Sequence, residues 1–159
     1  MKITQVTRRS LLACTAITAL PAVALSAVRG DEAKYVGGTL AAIPENTEGK
    51  LDLTGRETMR FTAKKASVQI EYRKIKSIEY GQKAGRRVGV ALAVSPVALF
   101  SKKRKHYVTL AFTDDAGKDQ GAVFEIGKDS VRNVLTVLET RSGKQVEFES
   151  EEAKKNLKR

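Results

Sequence analysis

Few residues in this chain could do acid–base, nucleophilic or metal chemistry. His106 is the sole histidine and Cys14 the sole cysteine. A zinc site needs several His, Cys or carboxylate ligands converging, and a serine nucleophile needs a base beside it. A Ser-His-Asp site built on His106 would have no Gly-x-Ser-x-Gly elbow to support it, and no Gly-rich phosphate motif stands at a strand-to-helix junction. "DDAGKD", residues 114–119, lacks the alternating oxygen ligands and terminal Glu of a calcium loop and reads as a hairpin turn. Glu71, Glu79, Asp114, Asp115 and Glu125 supply carboxylates, but no spacing singles out an acid and a base among them. These residues point to a non-enzymatic protein with no metal, no cofactor and no identifiable small-molecule substrate.

The chemistry that stands out is that of fixed positive charge. From Gly81 to Phe112 there is no acidic residue, while Lys83, Arg86, Arg87, Lys102, Lys103, Arg104 and Lys105 are all basic. Between the two clusters lie fourteen uncharged residues, 88–101, of which the first thirteen, 88–100, form the mainly apolar stretch. As a helix they reach about 20 Å, short of the roughly 30 Å hydrocarbon core of a bilayer, and Gly89 and Pro96 weaken even that helix. A membrane span is disfavoured. Two arrangements remain. The stretch folds over an open end of the domain and completes its core, the commoner fate of an apolar run. Alternatively, Val90, Leu92, Val94, Val97, Leu99 and Phe100 insert into a lipid interface, held there by the flanking cations. If the strands ending near Tyr80 and beginning near His106 are neighbours, both clusters share one rim, suited to an anionic lipid surface or an acidic protein. A different class of function, a structural or protein-interaction subunit, would use 88–100 to bind a partner or a second copy.

The whole chain sets the context. Its 159 residues, 6% aromatic and without Trp, fit one modest domain plus an N-terminal segment, and the net charge of +11 favours polyanionic partners. The N-terminus has a basic n-region (Lys2, Arg8, Arg9), an apolar stretch from Leu11 to Val28, no acidic residue before Asp31, and small-residue cleavage sites after Ala24 or Ala27. That is the pattern of an export signal over 1–27. "TRRSLLA", with Arg8 and Arg9 as its pair, resembles the twin-arginine export motif, although Phe and the downstream Lys are missing. A retained anchor helix is the competing reading of the same stretch. Cleavage removes Cys14 and three basic residues, taking the charge from +11 to about +8. The expected location is periplasmic or extracellular, with membrane association through the basic segment, and export argues against nucleic acid as a physiological partner.

These features must be positioned by short strands. After a polar leader, 28–34, alternation or β-rich composition marks strands in "KYVGGTLAAI", "KLDLTG", "TMRFTA", "ASVQIEYRKI" and "KSIEYG". A hairpin follows, with arms Tyr107 to Phe112 and Ala122 to Ile126. The period then turns helical: Val131, Val134, Leu135 and Leu138 share one face, with Asp129 or Ser130 to cap the start and Gly143 to end it. "KQVEFE" is a last short strand, and residues 149–159 form a charged, fraying tail.

This order, with "SVQIEYRKIKSIEYG", "HYVTLAF" and "AVFEIGKDSVRNVLTVLETRSGK", resembles the bacterial pleckstrin-homology-like (PH/GRAM-like) domains, exported members of which have no assigned function. The resemblance covers 35–148. It implies a mainly β fold, a bent antiparallel sandwich or open barrel of six or seven strands capped by one C-terminal amphipathic helix, acting as a binding module.

Overall fold

The structure, a computed structural model, describes residues 31–82 and 105–158. It is mainly β: one curled, half-barrel sheet of eight strands in the order β4-β3-β2-β1-β7-β6-β5-β8. The strands are β1 (Asp31–Gly38), β2 (Thr47–Asp52), β3 (Thr58–Ala63), β4 (Ser67–Glu71), β5 (Ile75–Gly81), β6 (His106–Thr113), β7 (Asp119–Ile126) and β8 (Val146–Phe148). Helix α1 (Lys128–Ser142) follows β7, and α2 (Glu151–Lys158) ends the chain.

Local sequence explains most of these elements. Alternation puts Leu51, Met59, Phe61, Ile70, Ile78, Leu110 and Phe124 on the concave face, where each is at least 95% buried in one core cluster. Phe124 sits at its centre, with ring centroids 5.2 Å from Phe61 and 5.9 Å from Tyr35. The apolar face of α1, Val131, Val134, Leu135, Val137 and Leu138, closes the same cluster. Because Val131, Val134 and Val137 are poor helix formers, that docking sustains the helix. At its far end the Arg141 guanidinium donates to the carbonyls of Leu53 and Gly55 and, at 3.1 Å, to the Tyr72 hydroxyl. The "DDAG" turn forms as its residues dictate: the Asp114 carboxylate accepts from the amides of Ala116 and Lys118, and Gly117 takes φ 78°.

Four expectations are corrected. The sheet has eight strands rather than six or seven, and it is mixed: β8 runs parallel to β5, because α1 returns the chain across the sheet before β8 pairs. The strand expected from Tyr35 starts at Asp31, inside the polar leader, since Ala33 reaches the core between β2 and β7. It ends at Gly38, whose φ of 141° and close approach to β7 exclude a side chain; a Cβ there would lie 2.2 Å from the Gly121 carbonyl oxygen. Helix α1 is capped at its start by Gly127 rather than Asp129 or Ser130, while Gly143 ends it at φ 69° as expected. Finally, the charged tail is helical, because burial of Ala153 and packing of Leu157 against the core give α2 an anchored face.

Candidate functional site

The two strands that flank the basic segment are paired neighbours. Gly81, the last residue of β5, faces Tyr107, the second of β6. Gln82 and Lys105, the residues on either side of 83–104, therefore lie at one rim of the half-barrel. The rim also receives the end of β7 and the start of α1, because His106 faces Ile126 and the helix begins two residues later.

Tyr80 is the hinge pin of this rim. It is fully buried, and its hydroxyl is 2.7 Å from His106 Nδ1, with the two rings stacked at 6.0 Å and 20°. Phe148 of β8 meets the other side of the Tyr80 ring edge-on, and Lys154 of α2 lies 5.9 Å from the Phe148 ring centroid. Beside them, the Glu149 amide donates to the Tyr80 carbonyl at 2.9 Å, and the Glu149 carboxylate accepts from the Gln82 amide at 3.1 Å. Glycine at 81 makes room for that carboxylate, since a Cβ would sit 2.5 Å from it. On the face of the sheet opposite the Tyr80 and His106 rings, Lys105 donates to Glu125 at 2.8 Å.

The electrostatics follow from these contacts. Burial, and then the positive charge of Lys128, hold the His106 imidazole below its ordinary pKa and so keep it neutral. Burial raises the Tyr80 phenol, and burial with the nearby Glu125 charge raises Tyr107. The raised pKa keeps each phenol protonated and able to donate a hydrogen bond. The bond to Glu125 raises Lys105 and keeps it charged. Among the described residues, no group of three or more His, Cys, Asp or Glu could hold a metal ion, and no helix is long and apolar enough to cross a membrane. The rim can thus fix the geometry of a charged segment.

Of the residues singled out from sequence, Lys105 is at this rim, bound to Glu125. Lys83, Arg86, Arg87, Lys102, Lys103 and Arg104, the apolar Val90, Leu92, Val94, Val97, Leu99 and Phe100, and the export pair Arg8 and Arg9 lie outside the described residues. Sequence reasoning missed the Tyr80–His106 pair, although both residues border the acid-free stretch. It also missed Glu149, whose place depends on the parallel pairing of β8. At the other end of the half-barrel a cavity of about 600 Å³ is lined by Leu40, Ile70, Phe112, Glu71, Lys74 and Asp115. Lys74 there is ion-paired with both Glu71 and Asp115.

No protein-family model matches this chain, and no curated protein matches it.

Proposed function

We propose that the chain is an exported, non-enzymatic binding module of pleckstrin-homology-like architecture, which engages an anionic surface of the cell envelope through its basic-flanked β5–β6 connection. The observation that carries this reading is the register at the strand ends. With Gly81 facing Tyr107, Lys83 follows one strand end by two residues and Lys102 to Lys105 precede the other by at most five, so both clusters are tethered to one rim. The N-terminal end of α1 opens on the same side and adds the positive end of its dipole. The architectural part is supported by two antiparallel runs, β1 to β4 and β5 to β7, joined through β1 and β7, with a helix closing the concave face.

Each basic group near an anionic membrane contributes about 1 kcal/mol, and salt screens that attraction. Neutralising Arg86, Arg87, Lys103 and Arg104 together is expected to weaken binding to anionic vesicles by about 4 kcal/mol, roughly a thousandfold. Cosedimentation with phosphatidylglycerol-containing and neutral vesicles, at low and high salt, measures this. Binding that survives the four neutralisations unchanged would remove the rim from the proposal. Salt-insensitive, concentration-dependent self-association without lipid binding would favour the structural-subunit reading instead.

A further inference from the structure

β4 is the terminal strand of the sheet, with β3 on one side of it. The phase of that pairing is set at both ends: the Ala63 amide donates to the Ala66 carbonyl at 2.8 Å, and the Tyr72 amide to the Glu57 carbonyl at 2.9 Å. Bonded and non-bonded pairs alternate along an antiparallel ladder, so Ala66, Val68, Ile70 and Tyr72 turn their backbone groups to β3. The amides and carbonyls of Ser67 and Gln69 face the other way, and both residues are exposed. Beside this edge lies the cavity of about 600 Å³, lined here by Val68, Gln69 and Ile70. The opposite end of the sheet differs, because β8 is only three residues long and its Phe148 lies against Lys154 of α2. A strand edge open in this way is a template for pairing with a further strand.

We infer that this edge is an interface between two copies of the chain, β4 pairing antiparallel with β4 of a second copy about a two-fold axis at Val68. The sequence of the strand selects that occupant. Residues 65–71, "KASVQIE", complement their own reversal. With Val68 opposite Val68, Lys65 comes level with Glu71, Ala66 with Ile70 and Ser67 with Gln69, and a two-fold interface must match itself in this way. On the concave face the facing residues are all apolar, and Ala66 and Val68 are only partly buried at the margin of the core within one copy. On the convex face Ser67 opposes Gln69, and their outward amides and carbonyls exchange reciprocal bonds. Lys65, exposed at the tip of the β3–β4 turn, approaches Glu71, whose carboxylate already binds Arg73 and Lys74 of its own chain. Such a surface ion pair sets register more than affinity. Moving the register by two residues would instead bring Lys65 level with Arg73, two like charges. The interface needs neither lipid nor the β5–β6 connection, so it stands apart from the anionic-surface reading.

Sedimentation velocity of the full chain, reduced so that Cys14 cannot link copies, is expected to show a monomer–dimer equilibrium without lipid. Larger species are not expected, because a two-fold contact closes on itself. Gln69→Pro removes an outward amide and keeps the bonds to β3. With the far-UV spectrum unchanged, it should weaken the dimer at least about tenfold. Lys65→Glu should weaken the dimer at low salt, and adding Glu71→Lys to it should restore the dimer. The register is read by disulfide formation in the Cys14→Ser chain. Val68→Cys should link two copies at least about tenfold faster than Thr136→Cys on the exposed side of α1, because facing residues of a non-bonded pair lie within disulfide reach. Gln69→Cys should not, since position 68 alone meets itself. Should the proline variant fail to fold, Lys65→Glu and Val68→Cys carry the test. A chain monomeric across the concentration series overturns the inference, as does a dimer indifferent to both Gln69→Pro and Lys65→Glu. Linking through Gln69→Cys in preference to Val68→Cys overturns it as well.

Discussion

Replacing His106 by Ala should cost more stability than removing the hydroxyl it holds. The Tyr80 hydroxyl is fully buried and has His106 Nδ1 as its partner at 2.7 Å. Deleting the imidazole strands that hydroxyl, at about 1–3 kcal/mol, and removes a stacked ring contact of about 0.5–1.5 kcal/mol. His106 is only partly buried, so water reaching the vacated space returns some of this, leaving a net loss of about 2–3 kcal/mol. Tyr80→Phe removes the hydroxyl itself and leaves the ring nitrogen of a partly buried imidazole to find water, at about 0.5–1.5 kcal/mol. In the His106→Ala background, Tyr80→Phe then eliminates a stranded polar group and should be neutral or stabilising. The coupling energy expected from the double-mutant cycle is about 1–2 kcal/mol. Urea unfolding of the four proteins near pH 7.5, with m unchanged across the set, measures it. A His106→Ala cost no larger than that of Tyr80→Phe, or a coupling within about 0.3 kcal/mol of zero, the usual scatter of independent sites, would refute the reasoning.

Two further outcomes follow from neighbouring contacts. Because burial and Lys128 depress the His106 pKa in the folded state, the unfolded chain binds the proton more readily. The stability this contributes is present above the ordinary imidazole value near 6.5 and is lost as pH falls through the lower folded value. Thermal melts from pH 8 to 5 should therefore decline more steeply for the wild type than for His106→Gln, and parallel curves would contradict the assignment. At the other end of α1, Arg141 donates to two backbone carbonyls and lies 5.4 Å from the Tyr72 ring centroid. Arg141→Ala should cost about 2–4 kcal/mol, and Arg141→Lys should recover less than half, because an ammonium cannot reproduce the planar fork. A urea midpoint for the lysine variant equal to wild type would show that the charge alone suffices.

The sequence by itself determined the elements whose signals are local. Alternation at Leu51 and Leu53, Met59 and Phe61, and Ile78 and Tyr80 marks strands, because side chains on a strand point to opposite faces with period two. The spacing of Val131, Val134, Leu135 and Leu138 marks the helix, and Gly143 its end. The two basic clusters, the apolar stretch between them and the export-like N-terminus were equally legible, since charge and hydropathy need no partner to be read.

Only the tertiary structure decided what depends on contacts distant in sequence. Asp31 to Lys34 looks like polar leader, and it becomes strand because β2 and β7 supply the partners for its backbone. The tail becomes α2 because Ala153 finds the core. Tyr80 and His106 lie 26 residues apart and meet because β5 pairs with β6, while Glu149 joins them only through the parallel β5–β8 pairing. The antiparallel pairing of β5, β6 and β7 gathers Tyr107, Thr109 and Val123 on a second buried face that alternation along β6 would assign to solvent. Burial on the second side of a sheet belongs to whatever crosses it, and one strand's sequence cannot encode that.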